Sequence, residues 1–324
     1  MEANSAAMDG TRDASPRTTK ALNVLLLMGG PSAEREVSLQ SGAAVFEALR
    51  KGGHKVTGAD ITPSDPSALD APGIDVVFIA LHGAFGESGE VQALCEARRL
   101  PYVGSGIRAS QLSMDKAATK QIVKRAGVAT PDWMIIESFH TPRQVAGWLA
   151  ELPVPVVLKP VDGGSSVDIT IARSESARDL ALEDLLDRHG RAMIERYVPG
   201  RELTVGILGQ EPLPVLEIVP DRDFYDYTAK YSDAAATRYL FDHGLPEELT
   251  RAVQADALKA HRAMECRDLS RVDFLLDGEG RHWFLEINTI PGFTSHSLLP
   301  KAAAEAGIDF VTLCDRLLAM AMNR

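Results

Sequence analysis

Arg271-Val-Asp-Phe-Leu-Leu-Asp277, followed by Leu285-Glu-Ile-Asn288, carries the reading from which the rest of the chain can be organised. Both runs are short, rich in branched and aromatic residues, and read as β-strands. Strand side chains alternate between faces, so Arg271 and Asp273 share one face. Glu286 and Asn288 likewise share one, with Leu285 and Ile287 on the other. If the two strands pair, Asp273, Glu286 and Asn288 converge as two carboxylates and an amide oxygen. Hard oxygen donors of that kind suit Mg²⁺ or Mn²⁺ rather than Zn²⁺. A solvated strand face with ordinary charge alternation fits the spacing equally well.

Upstream of these strands the chain alternates between strand and helix. A β-rich run at Leu22–Met28 stops at Gly29-Gly30, and a helix over Ser38–Arg50 is expected with Ser38 as its N-cap. Strands near Lys55–Ile61 and Asp75–Leu81, a helix at Gly89–Arg98 and a short strand at Tyr102–Val103 complete a βαβ pattern. That pattern predicts a mostly parallel sheet with helices on both faces. From Gly104 the order becomes helix Met114–Ala126, strand Trp133–Ile136, helix Thr141–Leu152, strands Val154–Lys159 and Val167–Ala172, helix Glu175–Asp187 and strand Ala192–Tyr197. Strands near Leu203–Leu208 and Val215–Val219 follow, then a stretch at 221–240 without clear periodicity. A long helix over Pro246–Glu265, the two decisive strands and two closing helices end the chain. Structureless segments of about 20 residues are unusual inside compact domains and are commonly lids, so 221–240 is expected to be a mobile loop.

Length and composition set the outer bounds. The chain has 324 residues, 45% of them hydrophobic and 24% charged, and a formal net charge of −11. This is a folded protein large enough for two or three lobes. No basic cluster interrupts the acidic balance, which speaks against nucleic acid and anionic membrane surfaces as partners. Cys95, Cys266 and Cys314 are too few and scattered for a disulfide framework or a zinc site, and fit the reducing cytoplasm. No run approaches the roughly 18 apolar residues of a membrane span. Residues 1–19 lack the apolar segment of a signal peptide and are expected to be a flexible leader.

Two loops add to the chemistry. Lys159 precedes Asp162-Gly-Gly-Ser-Ser166 between two expected strands, where glycines allow close backbone approach and hydroxyls, N–H groups and a lysine can receive phosphate oxygens. Neither a Walker loop nor a Gly-x-Gly-x-x-Gly dinucleotide turn occurs, and a plain Gly/Ser hairpin would look the same. The loop GGPSAEREVSLQSG (29–42) leaves the carboxyl end of the first strand, where α/β proteins place ligands. Glu34 could receive an ammonium there, or could simply favour the helix dipole.

Taken together the motifs resemble one family, the D-alanine–D-alanine ligases of the ATP-grasp superfamily. The resemblance runs from about Asn23 to the last helix. It rests on GGPSAEREVSLQSG (29–42), IALHGAFGE (79–87), PYVGSG (101–106), SMDK (113–116), VVLKP with GSSV (156–167), FYDYTAKY (224–231), RVDFLLD (271–277) and LEINTIPGFTSHSLLP (285–300). It implies an α/β ATP-grasp fold with an N-terminal parallel α/β domain at 20–104. A central subdomain at 105–194 and a C-terminal one at 195–324 would follow, with ATP between them.

The resemblance also assigns roles. Glu34 would hold the ammonium of the first D-alanine, linked to Ser165 and Tyr231, with His82 close by. Lys116 and Lys159 would meet the nucleotide phosphates together with Ser165 and Ser166. Glu195, Tyr197 and Val198 fall where adenine is held, and Glu202 where the ribose is. Asp273, Glu286 and Asn288 would ligate two Mg²⁺ or Mn²⁺ ions. Arg271 and the N–H of Gly292 would steady the oxyanion, Ser297 and the N–H of Leu298 the carboxylate of the second D-alanine. Lys230 would sit on the loop that closes over the phosphates. The expected activity is ATP-dependent ligation of two D-alanines through a D-alanyl phosphate, feeding peptidoglycan synthesis. A homodimer is implied as well.

Two positions depart from the family pattern. Ser88-Gly89 replaces its common Asp-Gly, and Asp168 stands where it usually has glycine after Ser-Ser-Val. A carboxylate about 6 Å from a phosphate charge would be repelled by roughly 3 kcal/mol at an effective dielectric near 20. Asp168 is therefore expected to turn away, towards solvent or a nearby Lys or Arg. Rival readings are a ligase making D-alanyl-D-lactate or D-alanyl-D-serine, another ATP-grasp amide ligase, and a silent nucleotide-binding homologue. Tyr231, which depsipeptide ligases of this kind usually replace, favours the dipeptide.

Overall fold

The first strand, β1 (Asn23–Met28), divides its side chains between two cores, Val24 and Leu26 in one and Leu25 and Leu27 in the other. A strand buried on both faces reads as a continuous apolar run, which is what Val-Leu-Leu-Leu is. The computed structural model describes residues 20–163, 168–220, 237–294 and 296–324. Helix α1 (Arg35–Lys51) leads to β2 (Lys55–Asp60), and β3 (Val76–Ile79) follows; the three strands form a parallel sheet in the order β2-β1-β3. Tyr102 extends β3 only by an isolated parallel bridge to Val77.

Ser38 is not a helix cap. Helix α1 begins at Arg35, with Glu34 in the cap position, and Ser38 lies buried one turn inside. Its hydroxyl donates to the Ala80 carbonyl at 2.6 Å and accepts from the Gly29 N–H at 3.0 Å. A tertiary bridge between the ends of β1 and β3 thus takes the hydroxyl that a local cap would have used.

Helices α2 (Ala84–Glu87) and α3 (Glu90–Ala97) cover one face of this sheet. The helix expected over 114–126 is found two residues later at its start, and a separate helix precedes it, giving α4 (Ile107–Met114) and α5 (Lys116–Arg125). The break is Asp115, whose extended backbone (φ −93°, ψ 103°) lets its carboxylate accept from the Ala118 N–H at 2.8 Å. Asp is a strong N-cap, and here it starts a new helix.

A second, antiparallel sheet holds β4 (Trp133–Glu137), β5 (Val156–Pro160), β6 (Thr170–Ala172) and β7 (Arg191–Arg196) in the order β4-β7-β5-β6. Helices α6 (Pro142–Glu151), with a Thr141/Gln144 capping box, and α7 (Glu175–His189) supply its core.

The third sheet contains β8 (Gly200–Leu208), β9 (Glu211–Pro212), β10 (Leu216–Val219), β11 (Arg238–Leu240), β12 (Leu269–Asp277) and β13 (His282–Asn288). Its order is β11-β10-β8-β12-β13, with β9 paired to β8. Residues 221–236 of the expected mobile loop lie outside the described residues, but its end, Arg238–Leu240, is a regular edge strand on β10. Helix α8 (Glu247–Ala263) covers one face, and Ala109 of α4 and Val123 of α5 share its core. Residues 107–125 therefore pack with the C-terminal sheet, and the boundary expected at 194 falls inside β7. The closing helices α9 (Leu298–Glu305) and α10 (Phe310–Met322) return to the first sheet, where Leu299, Ala303, Leu313 and Leu317 join Val24 and Leu26. No helix among the described residues is long and apolar enough to cross a membrane.

Candidate active site

Strands β12 and β13 pair antiparallel, setting Arg271 opposite Asn288 and Asp273 opposite Glu286. The four polar side chains meet on one face, while Val272, Phe274 and Ile287 enter the core. One detail differs from strict alternation. The register shifts between Asp273 and Phe274, and Leu285 lines the adjoining cavity with Glu286 instead of joining Ile287. A β-bulge of this kind adds a residue and re-aims its side chain.

Both Asp273 oxygens already have donors: the Thr204 hydroxyl at 2.6 Å, and Arg271 Nε at 3.0 Å and NH2 at 2.7 Å. Arg271 also reaches Glu286 at 3.9 Å, and Asn288 Oδ1 accepts from the Ile290 N–H at 2.8 Å. Among the described residues no group of three or more His, Cys, Asp and Glu side chains forms a metal site. The oxygen set is two carboxylates completed by an amide, a donor chemistry that fits Mg²⁺ or Mn²⁺.

On one side of this strand pair lies a cavity of about 310 Å³, walled by the second and third sheets. Lys159, Glu195, Tyr197, Val198 and Glu202 all line it, together with Asp273 and Glu286. Val157, Ile169, Ile171 and Leu275 are among its apolar walls, suiting a flat aromatic ring. The Lys159 ammonium is 2.5 Å from Glu195 Oε2. Glu195 is pressed upward in pKa by burial, but Lys120 and Lys159 outweigh that and hold it below the ordinary carboxylate range.

Further along the same face is a smaller, more polar cavity of about 160 Å³, lined by Glu34, His82, Arg271, Gly292, Ser297 and Leu298. His82 Nε2 is 2.9 Å from the Ser41 hydroxyl, and its Nδ1 is 3.8 Å from Glu87. Ser297 holds the N-cap position of α9, and its hydroxyl accepts from the Thr294 N–H at 3.0 Å. The open N–H groups of that first turn are suited to a carboxylate. Lys116, whose ammonium donates to the Gly163 carbonyl, lines both cavities, as does Glu286.

Ser165 and Ser166 of the phosphate loop, and Lys230 and Tyr231, lie outside the described residues. Asp168, just beyond the loop, has φ +60° and turns to α7, 2.6 Å from Arg188 NH1 and 2.9 Å from His189 Nε2. The left-handed backbone there explains why a glycine would be at home at this position. Lys120, absent from the sequence reading, is the largest surprise. Lys116, Lys120 and Lys124 recur at helical spacing, yet Lys120 is fully buried against Glu195.

Residues 122–319 match the family model described as "D-ala D-ala ligase C-terminus", and 64–105 match "D-ala D-ala ligase N-terminus". The D-alanine–D-alanine ligase of Aquifex aeolicus is 46% identical over 296 residues, covering 90% of this chain and 98% of that one. A crystal structure of the D-alanine–D-alanine ligase from Bacillus anthracis complexed with ATP superposes with a TM-score of 0.82 at 32% identity, over 94% of this chain and 98% of the other. The VanG D-Ala:D-Ser ligase of Enterococcus faecalis gives a TM-score of 0.83 at 28% identity, over 93% and 100%. With both family models matched and close relatives spanning nearly its whole length, this chain belongs to the D-alanine–D-alanine ligase family and has its ATP-grasp fold.

Proposed function

We propose that this chain joins two D-alanines into D-alanyl-D-alanine at the expense of ATP, releasing ADP and phosphate. The observation that carries the reading is the junction of the two cavities at Lys116 and Glu286: one has room and apolar walls for a nucleotide, the other the charges for amino acids.

A carboxylate is a poor electrophile, so it must first be activated. In the first step a carboxylate oxygen of one D-alanine attacks the γ-phosphorus and the bond to ADP breaks. Lys116 and Lys159 line the larger cavity and would neutralise phosphate oxygens there, and positioning with charge neutralisation is most of what phosphoryl transfer needs. Asp273, Glu286 and Asn288 would hold Mg²⁺ or Mn²⁺, which when bound supplies further neutralisation of those oxygens. In the second step the neutral amine of the other D-alanine attacks the acyl carbon, phosphate departs, and the nitrogen loses a proton. Arg271 and Gly292 line the cavity in which the oxyanion would form, and the guanidinium and the Gly292 N–H would steady it. Glu34 at one end of that cavity suits the first ammonium, and Ser297 with the Leu298 N–H suits the second carboxylate. The reaction belongs in the cytoplasm, and the family resemblance brings with it a homodimer and the supply of peptidoglycan precursor.

The test is phosphate release from ATP and Mg²⁺ with D-alanine as the only amino acid, with the product identified by mass. D-alanine-dependent release and a D-alanyl-D-alanine product are expected. Release only when D-lactate or D-serine is added, or none at all, would overturn the reading.

A further inference from the structure

Lys120 is fully buried, and its ammonium is enclosed by three groups. It forms an ion pair with Glu195 Oε1, donates to the Thr130 hydroxyl, and lies 5.4 Å from the Trp133 ring centroid. The Thr130 hydroxyl donates onward to the Phe284 carbonyl at 2.9 Å, so its lone pair faces Lys120. The other Glu195 oxygen is held by Lys159. Lys159 and Glu195 line the larger cavity, whereas Lys120 does not; it stands behind the wall.

We propose that Lys120 is a positioning residue that releases Lys159 for the nucleotide phosphates by serving as the stationary counter-charge of Glu195. The inference rests on the reading of that cavity as the nucleotide site. With Glu195 only 2% exposed, a single lysine partner could not leave it, because a buried carboxylate without a counter-charge is strongly unfavourable. Two lysines change this. One can stay while the other follows the phosphates, and Glu195 remains ionised and fixed as an acceptor on the cavity wall. The surroundings suit the staying role: a fixed acceptor, an aromatic face and no access to the ligand. Burial pushes the Lys120 ammonium down to about 8, against the pull of Glu195, which keeps it charged at neutral pH.

The experiment is calorimetric binding of ADP with Mg²⁺ to the wild-type protein, Lys120→Met, and Lys120→Met with Glu195→Gln. In the single variant Lys159 alone must neutralise Glu195, and ADP should bind at least tenfold more weakly. The second substitution removes the carboxylate that restrains Lys159, and affinity should recover at least threefold over the single variant. It also removes the buried carboxylate and leaves an amide oxygen to receive Lys159, so it reports even where the single variant folds poorly. A merely structural role for Lys120 predicts the opposite order, with the double variant no tighter than the single one. That result, or wild-type ADP affinity in Lys120→Met, would overturn the inference while leaving the nucleotide site standing. A wild-type protein that bound no ADP would overturn the site itself.

Discussion

Asp168 shows at a single residue how a departure from a family pattern is absorbed. Its left-handed backbone costs a non-glycine residue about 1 kcal/mol, less for Asp than for most. The pair with Arg188 is partly exposed and offsets part of that cost. Arg188 foremost, and His189 with it, hold the carboxyl below its ordinary pKa, so it stays ionised and directed at α7. The expected outcome for Asp168→Gly is a change in the Michaelis constant for ATP of less than about threefold, or roughly 0.7 kcal/mol. A tenfold tightening would mean that the carboxylate faces the phosphates after all.

At the scale of elements, the α4–α5 break decides where two lysines point. Asp115 caps α5, and the first turn of that helix carries Lys116 to the junction of the cavities and Lys120 to Glu195 one turn later. An uninterrupted helix would rotate both away. Asp115→Ala removes the bond to the Ala118 N–H, and losing an N-cap costs about 1 kcal/mol. We expect a melting temperature lower by roughly 2 °C, on the size scaling of unfolding entropy, together with weaker ATP binding. Asp115→Asn, which caps as well, should restore both. Equal damage in the two variants would show that the negative charge, which lies 3.5 Å from Arg191, matters more than the cap.

For the whole molecule, one of the buried titratable groups gives stability a definite pH dependence. His261 of α8 is completely buried, with Nδ1 2.7 Å from the Ser270 hydroxyl of β12 and Nε2 without a hydrogen-bond partner. Burial pushes its pKa down to about 4. An unfolded chain takes up this proton near pH 6.5 and the folded one does not, so the contribution is complete above about 6.5 and is lost as pH falls towards 4. The loss amounts to at most about 3 kcal/mol. Asp268 runs the other way, its carboxyl raised by burial, so the His261 share has to be read by difference. Replacing His261 with Phe and Ser270 with Ala should flatten the fall in melting temperature between pH 7 and 4.5. An unchanged pH profile would exclude His261 as its source.

What the chain states locally is legible without a structure. Alternation in Arg271–Phe274 placed Arg271 and Asp273 on one face, and the β-rich run Leu22–Met28 read as a strand, because periodicity follows from backbone geometry over a few residues. The motif run from GGPSAEREVSLQSG to LEINTIPGFTSHSLLP was enough to identify the family. The tertiary structure decided what depends on residues far apart in sequence. It set the register that puts Asp273 opposite Glu286, and the bulge that turns Leu285 into the cavity. It drew the Ser38 hydroxyl into a bridge between two strands, and it buried one lysine of three evenly spaced ones. Lys116, Lys120 and Lys124 are chemically the same side chain at the same spacing. Only the arrival of Glu195, 75 positions further along the chain, makes the middle one different.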